Sequence, residues 1–109
     1  MGKVLLAFSG LSADETVAGL RGLPMYTART ITQRAALTDE LRRIHRQGYA
    51  LNEEEREVGV SGVAVPVLGV SGVARAAVGV QGPSMRLDHD RLLEILPTLH
   101  RASQQLAGS

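Results

Sequence analysis

Apolar residues recur along this chain with two different periods, and the switch between them separates helical ends from a sheet-forming centre. Lys3 to Phe8 is a nearly unbroken apolar run with no capping residue before it, which predicts a short buried helix. Ser12 and Glu15 stand at capping-box spacing, Val17 and Leu20 come next on one face and Gly22 is the stop, so a second helix is expected over about 13–21. Leu23 and Pro24 lead into an extended-looking stretch, Tyr26 to Ile31. Thr32 is then placed to cap a third helix in which Leu37, Leu41 and Ile44 return at helical spacing until Gly48 ends it. On the far side of the centre, Asp88 caps a last helix carrying Leu92, Leu93, Ile95, Leu96, Leu99 and Leu106, with Pro97 inside it removing one backbone donor.

The centre alternates instead. Asn52 to Glu55 reads as a polar connector into two segments of strand character, Val58–Val67 and Val73–Gln81, joined by a turn at Leu68–Gly72 and closed by Gly82 and Pro83. That is a β-hairpin. Alternation assigns Val63, Val65 and Val67 to one face of the first strand and Val60, Gly62, Ala64 and Pro66 to the other. In the second strand Ala74, Ala76, Val78 and Val80 oppose Arg75, Ala77, Gly79 and Gln81. One face is apolar and the other is nearly bare. A glycine inside a strand gives up packing and costs backbone entropy, so Gly62 and Gly79 imply that something comes close to the sheet there. Two things fit: a helix packed tightly on the sheet, or a ligand cavity floored by glycine and alanine, with Gln81 and Arg75 as its orienting polar groups. Gly-Val-Ser-Gly-Val-Ala occurs twice, at 59–64 and 69–74, but the second copy falls on the turn and is read as coincidence.

Composition narrows the function more by exclusion than by assignment. The chain has 109 residues, room for one domain or part of one. Hydrophobic residues make up 44 % and aromatics only 3 %, so the interior is built from Val, Leu, Ile and Ala. Twelve Lys and Arg against eleven Asp and Glu leave a net charge of +1, which gives no concentrated positive surface for phosphates, and Phe8, Tyr26 and Tyr49 make no stacking platform. The absence of cysteine excludes disulfides, Cys-ligated zinc and thiol catalysis. No signal-peptide or membrane-span pattern occurs, so the chain reads as soluble, intracellular and cytoplasmic.

Catalytic patterns are missing too. Ser61 lies in Gly-Val-Ser-Gly, without the spacing or the strand-to-helix turn of a nucleophile elbow, and reads as a satisfied strand serine. His45, His89 and His100 lie on or near different helices with no ligand spacing, so no metal and no cofactor are expected. Glu53 to Glu55 read as solvated carboxylates. Arg42, Arg43 and Arg46 read as a solvated helix end that complements the dipole, with Asp39 pairing to Arg43.

Several stretches then add up to a known pattern: Gly2-Lys3-Val4-Leu5-Leu6-Ala7, Tyr26-Thr27-Ala28-Arg29-Thr30-Ile31-Thr32, Arg46-Gln47-Gly48-Tyr49-Ala50-Leu51-Asn52-Glu53-Glu54, Gly59-Val60 and Val80-Gln81-Gly82-Pro83. In order and spacing the chain resembles the effector-binding domain of the IclR family of bacterial transcription regulators. The resemblance implies an α+β fold, an α/β sandwich of GAF-like type in which the hairpin belongs to a mixed or antiparallel sheet flanked by helices. It implies residues 1–109 as a partial effector-binding domain, with the winged helix-turn-helix, the linker helix and the first part of the sensor domain absent.

By the same resemblance, the chain is no enzyme. It senses a small organic or aromatic acid, self-associates as a homo-oligomer, and meets DNA only through the missing winged helix-turn-helix; no membrane is involved. The family's effector positions carry over to Asn52, Val60, Gly62, Gly79 and Gln81, joined by Arg75 from the face pattern above. Asn52 stands where an Asp is common, Ser61 and Gly62 where Arg-Cys is common, and Gly79 and Gln81 where serines are common. A larger or less polar effector is therefore expected in a pocket that keeps its place but not its chemistry. The alternative is an assembly module that has lost its ligand.

Overall fold

The computed structural model describes residues 2–19 and 34–107. The apolar N-terminal run forms α1 (Gly2–Ala7), which buries Val4 and Ala7, with Phe8 buried just past its end. The capping box forms as the spacing predicts: Ser12 Oγ accepts from the Glu15 N–H at 3.1 Å, and a Glu15 carboxylate oxygen accepts from the Ser12 N–H at 3.1 Å. The capped helix, α2 (Ala13–Ala18), is shorter than expected, because the Gly19 N–H already closes it onto the Glu15 and Thr16 carbonyls. Leu20, Gly22, the extended stretch Tyr26–Ile31 and the Thr32 cap lie outside the described residues.

Helix α3 (Arg34–Gln47) buries Leu37, Leu41 and Ile44 on one stripe. It ends at Gly48, whose φ of 85° is a conformation that a residue with a side chain adopts only under strain. The chain then enters a strand at once. Asn52 and Glu53 of the supposed connector form the second half of β1 (Ala50–Glu53), succeeded by β2 (Val60–Leu68) and β3 (Ala74–Pro83), in the order β1-β2-β3 with both pairings antiparallel. The polar turn is confined to the residues after β1, where Asn52 Oδ1 accepts from the Glu55 N–H at 3.0 Å and Glu54 takes a φ of 62°.

Strand β2 is central, and every residue from Ser61 to Val67 is buried. Its two faces carry two cores. Val63 and Val65, with Val78 and Val80 from β3, pack on Leu92, Leu96 and Leu99 of α4 (His89–Ala107). Ala64 and Ala50 join Val4, Phe8, Val17, Leu37, Leu41 and Ile44 on the opposite side. The result is an α+β sandwich with one sheet between two helical layers, the class expected. Asp88 caps α4 as predicted, accepting from the Arg91 N–H at 2.9 Å, and the helix runs unbroken through Pro97.

Two details of the sheet come from hydrogen-bond direction. The Glu54 N–H donates to the Val60 carbonyl, so the even-numbered residues of β2 turn their backbone groups toward β1. The missing N–H of Pro66 therefore faces a side that β1, beginning at Ala50 opposite Ala64, does not reach. That is how a proline is tolerated in a central strand. The register between β2 and β3 slips at Val67/Leu68, where Leu68 pairs with Ala74 and Val67 with Ala76. Strict alternation groups Ala74 with Val78, but this bulge turns it to the α1 side, where it packs with Leu68.

Two outcomes test this packing. Leu92 is fully buried, so Leu92→Ala should lose about 2–5 kcal/mol in urea denaturation, whereas the half-exposed Leu106→Ala should change little. The hydrogen bonds from the Ser12 backbone and side chain hold the Glu15 carboxyl below its ordinary value. Their stabilisation is present above the unfolded-state pKa and fades as pH falls through the lowered one. Ser12→Ala should lower the melting temperature at neutral pH and leave a shallower fall on acidification.

Candidate functional site

On the face opposite α4, the register brings together most of the positions expected to hold an effector. Asn52, Gly62 and Gln81 are Cα partners in one row across all three strands. The next row is Ala50, Ala64 and Gly79, and Val60 with Pro83 forms the row on the other side. By strand spacing, Asn52 and Gln81 stand about 10 Å apart across Gly62. The first row has an amide at each end, while Ala50 and Ala64 of the next are buried in the cluster gathered from α1, α2 and α3.

Arg75 does not join them. It lies past the bulge at the far end of β3, exposed, with its Cγ and Cδ close beside Gly69. Six residues separate it from Gln81, roughly 20 Å of strand. Alternation placed both on one face, but sharing a face does not bring two residues together when they sit at opposite ends of it.

The amides differ in what they have free. Asn52 Oδ1 already accepts from the Glu55 N–H, and its NH₂ group makes no hydrogen bond to a described residue. Gln81 is exposed and makes no hydrogen bond to a described residue, leaving both its donor and its acceptor. The Asn-Glu-Glu-Glu stretch carried the signal for the first of these, since Asx turns favour that composition.

Gly62 has a reason of its own. A Cβ there would meet the Val80 carbonyl oxygen at 2.6 Å and the Gln81 Cα at 3.3 Å. What comes close is the backbone of the neighbouring strand, a third cause beside the helix and the ligand that strand glycines suggested. Ser61, on the other face, is buried and hydrogen-bonded to Ser84 Oγ at 2.7 Å, the satisfied strand serine expected.

A cleft of about 410 Å³ opens along the outer edge of β1, lined by residues including Glu40, Arg43, Tyr49, Glu53, Glu55 and His89. Its charges are already matched. Glu40 pairs with Arg43, Glu55 with Lys3, and Glu53 with His89 Nδ1 at 2.7 Å. The hydrogen bond to the Glu40 carboxylate, reinforced by its charge, raises Arg43 above its ordinary value. Two of its three carboxylates face a cation, and the third is hydrogen-bonded to a histidine ring nitrogen.

Two arginines of the cluster are engaged in ion pairs: Arg43 with Glu40, and Arg42 with Asp14 at 2.6 Å and Asp39 at 3.4 Å, so Asp39 serves Arg42 rather than Arg43. His45 stacks on Phe8, with ring centroids 4.8 Å apart. Among the described residues no group of His, Asp and Glu is placed to hold a metal ion, and no helix is long and apolar enough to cross a membrane.

The fold is one sheet between two helical layers, with Asn52, Gly62 and Gln81 aligned across it. Comparison with known proteins makes this specific. Residues 1–108 match the family described as the C-terminal domain of the bacterial transcriptional regulator IclR, and the chain belongs to that family. It is 37 % identical over 110 residues to the HTH-type transcriptional regulator KdgR of Escherichia coli, covering 99 % of this chain and 41 % of that protein.

The crystal structure of the KdgR C-terminal domain superposes with a TM-score of 0.85 at 34 % identity, over 99 % of this chain and 66 % of that one. The inducer-binding domain of the PobR transcription factor from Acinetobacter, in complex with 3-hydroxybenzoic acid, gives a TM-score of 0.86 at 31 % identity, over 97 % of this chain and 61 % of that one. The chain spans about two-fifths of the length of the full regulators it matches. These relatives are transcriptional regulators, not enzymes.

The close approach at Gly62 gives a direct test. Gly62→Ala should cost about 1–3 kcal/mol in urea denaturation, because the methyl group must displace strand backbone. An unchanged midpoint would mean that β3 does not lie where the structure puts it.

Proposed function

We propose that this chain is the effector-sensing part of an IclR-type transcription regulator and takes a small organic or aromatic acid on the face formed by Asn52, Val60, Gly62, Gly79 and Gln81. The observation that carries this reading is the likeness, over nearly the whole chain, to an inducer-binding domain whose structure holds 3-hydroxybenzoic acid. The chemistry of the floor agrees with it. An acid needs hydrogen-bond donors, and the Asn52 NH₂ and the Gln81 amide supply them from either end of a surface whose small residues leave room between. Arg75 plays no part, being at the other end of the strand. In the parent regulator this domain acts in the cytoplasm within a homo-oligomer, and DNA is read by a winged helix-turn-helix elsewhere in the chain. Effector binding shifts the assembly between states to the extent that its affinities for them differ.

The rival reading is an assembly module without a ligand, favoured by Gly62, whose lack of a side chain β3 alone explains. A thermal-shift series with 3-hydroxybenzoate and a panel of aliphatic and aromatic carboxylates separates the two. A ligand at a hundred times its Kd adds about 2.7 kcal/mol, which in a domain of this size raises Tm by roughly 10 °C. Gly79→Leu, checked for folding by circular dichroism, should abolish the shift by filling the floor. No shift with any compound would leave the assembly module. A shift that survives Gly79→Leu would put the ligand on a different surface.

A further inference from the structure

Asn52 is fixed twice over, in its backbone and in its side chain. The Glu54 N–H donates to the Val60 carbonyl, and two residues back along the same ladder Asn52 and Gly62 form the next hydrogen-bonded pair, so β2 holds the Asn52 backbone. The turn that follows holds its side chain, with Oδ1 accepting from the Glu55 N–H at 3.0 Å. That turn is strained. Glu54 takes a φ of 62°, a conformation that a residue with a Cβ keeps only where its surroundings hold it. Its own carboxylate contributes by accepting from the Gly59 N–H at 2.8 Å.

A second hold comes from another element. The Lys3 Nζ–H of α1 donates to the Leu51 carbonyl at 3.2 Å and to the Glu55 carboxylate, with which it forms an ion pair. Leu51 stands one residue before Asn52, and Glu55 three after it. One ammonium therefore clamps both flanks of the Asn52 turn. Only 21 % of the Lys3 side chain and 22 % of the Glu55 side chain are exposed, so salt screens this pair less than a pair in open water. Fastening α1 to the sheet would need one such contact. Two, on either side of Asn52, also fix which way its amide points: while the Glu55 N–H stays in place, Oδ1 is turned to it and the NH₂ group forms the other arm.

We propose that Lys3 is a positioning residue for the effector face: through Leu51 and Glu55 it keeps the Asn52 amide oriented so that its NH₂ group, and not its oxygen, meets an acid. This rests on the functional reading above, in which Asn52 supplies a donor to a carboxylate. Without the clamp the turn is free to leave the left-handed conformation at Glu54, and the Glu55 N–H moves off Oδ1. The amide then rotates, and in half of its orientations it presents an acceptor to the acid, which repels it. A donor ordered before binding loses less conformational freedom than one ordered by the ligand, so the clamp acts on affinity through Asn52 without touching the acid itself. It also ties α1 to the row Asn52, Gly62 and Gln81, so the fit of the acid and the seating of that helix depend on the same ion pair.

The test is titration calorimetry with 3-hydroxybenzoate, benzoate and succinate on the parent chain, Lys3→Met, Asn52→Ala and the double variant, each checked for folding by circular dichroism. For every acid that binds the parent, Lys3→Met should weaken binding about tenfold and Asn52→Ala at least as much, and Lys3→Met should add almost nothing in the Asn52→Ala background. A lost charge alone would weaken binding in both backgrounds. Lys3→Arg, which keeps a charged donor, should recover most of the affinity. Hydrogen exchange should show the Glu55 amide opening faster in Lys3→Met while those of 61–67 stay unchanged. Glu55→Ala removes the partner of Lys3 but keeps the N–H that Asn52 accepts; it should repeat the Lys3→Met pattern, and it carries the test if Lys3→Met does not fold. No binding of the three acids by the parent overturns the effector reading and this proposal together. Parental affinity in Lys3→Met and Glu55→Ala, or an equal loss in the Asn52→Ala background, overturns the positioning role and leaves the effector reading standing.

Discussion

Burial of β2 on both of its faces is the constraint on which the rest of the structure depends. A strand buried from Ser61 to Val67 needs a cover on each side, and the chain provides two of different character. Branched valines on one face meet the leucine stripe of α4, and small residues on the other meet a cluster gathered from α1, α2 and α3. Valine against leucine makes a filled layer. Alanine and glycine add little bulk of their own on that side, where α1, α2 and α3 supply most of the buried cluster. That asymmetry is written in β2 and β3 and needs no separate device.

The same strands fix which polar groups are available. Register aligns Asn52, Gly62 and Gln81, and the turn after β1 then takes the Asn52 carbonyl for itself. The neighbouring carboxylates of Glu53 and Glu55 are likewise occupied, by a hydrogen bond with His89 and an ion pair with Lys3 that tie the start of α4 and α1 to the sheet edge. Electrostatics here closes the periphery, and the central face keeps only neutral amides.

Much of the fold was legible beforehand because it rests on local rules. The capping box at Ser12 and Glu15, the glycine stop at Gly48, the leucine stripes of α3 and α4 and the hairpin alternation each need only neighbours within a few residues. Strand β1 was not legible. Ala50 to Glu53 is too short to show a period and runs into charges, and it becomes a strand only because β2 offers it an edge to pair with. Arg75 was misplaced for a related reason: alternation gives a face but not a position along it, and the bulge at Val67/Leu68 shifts the pairing at that end of the strand.

By itself the sequence determined the helices, the two long strands, the bare face and the family to which the chain belongs, since periodicity, capping chemistry and motif order are all carried by the linear chain. Tertiary structure alone decided which residues meet across the sheet. Gly62 is glycine because the Val80 carbonyl lies where its Cβ would be, Asn52 accepts a turn hydrogen bond on its side-chain oxygen, and Arg42 and Arg43 of α3 are held by carboxylates from two helices. These are contacts set by strand register and helix placement, and no spacing in one dimension encodes them.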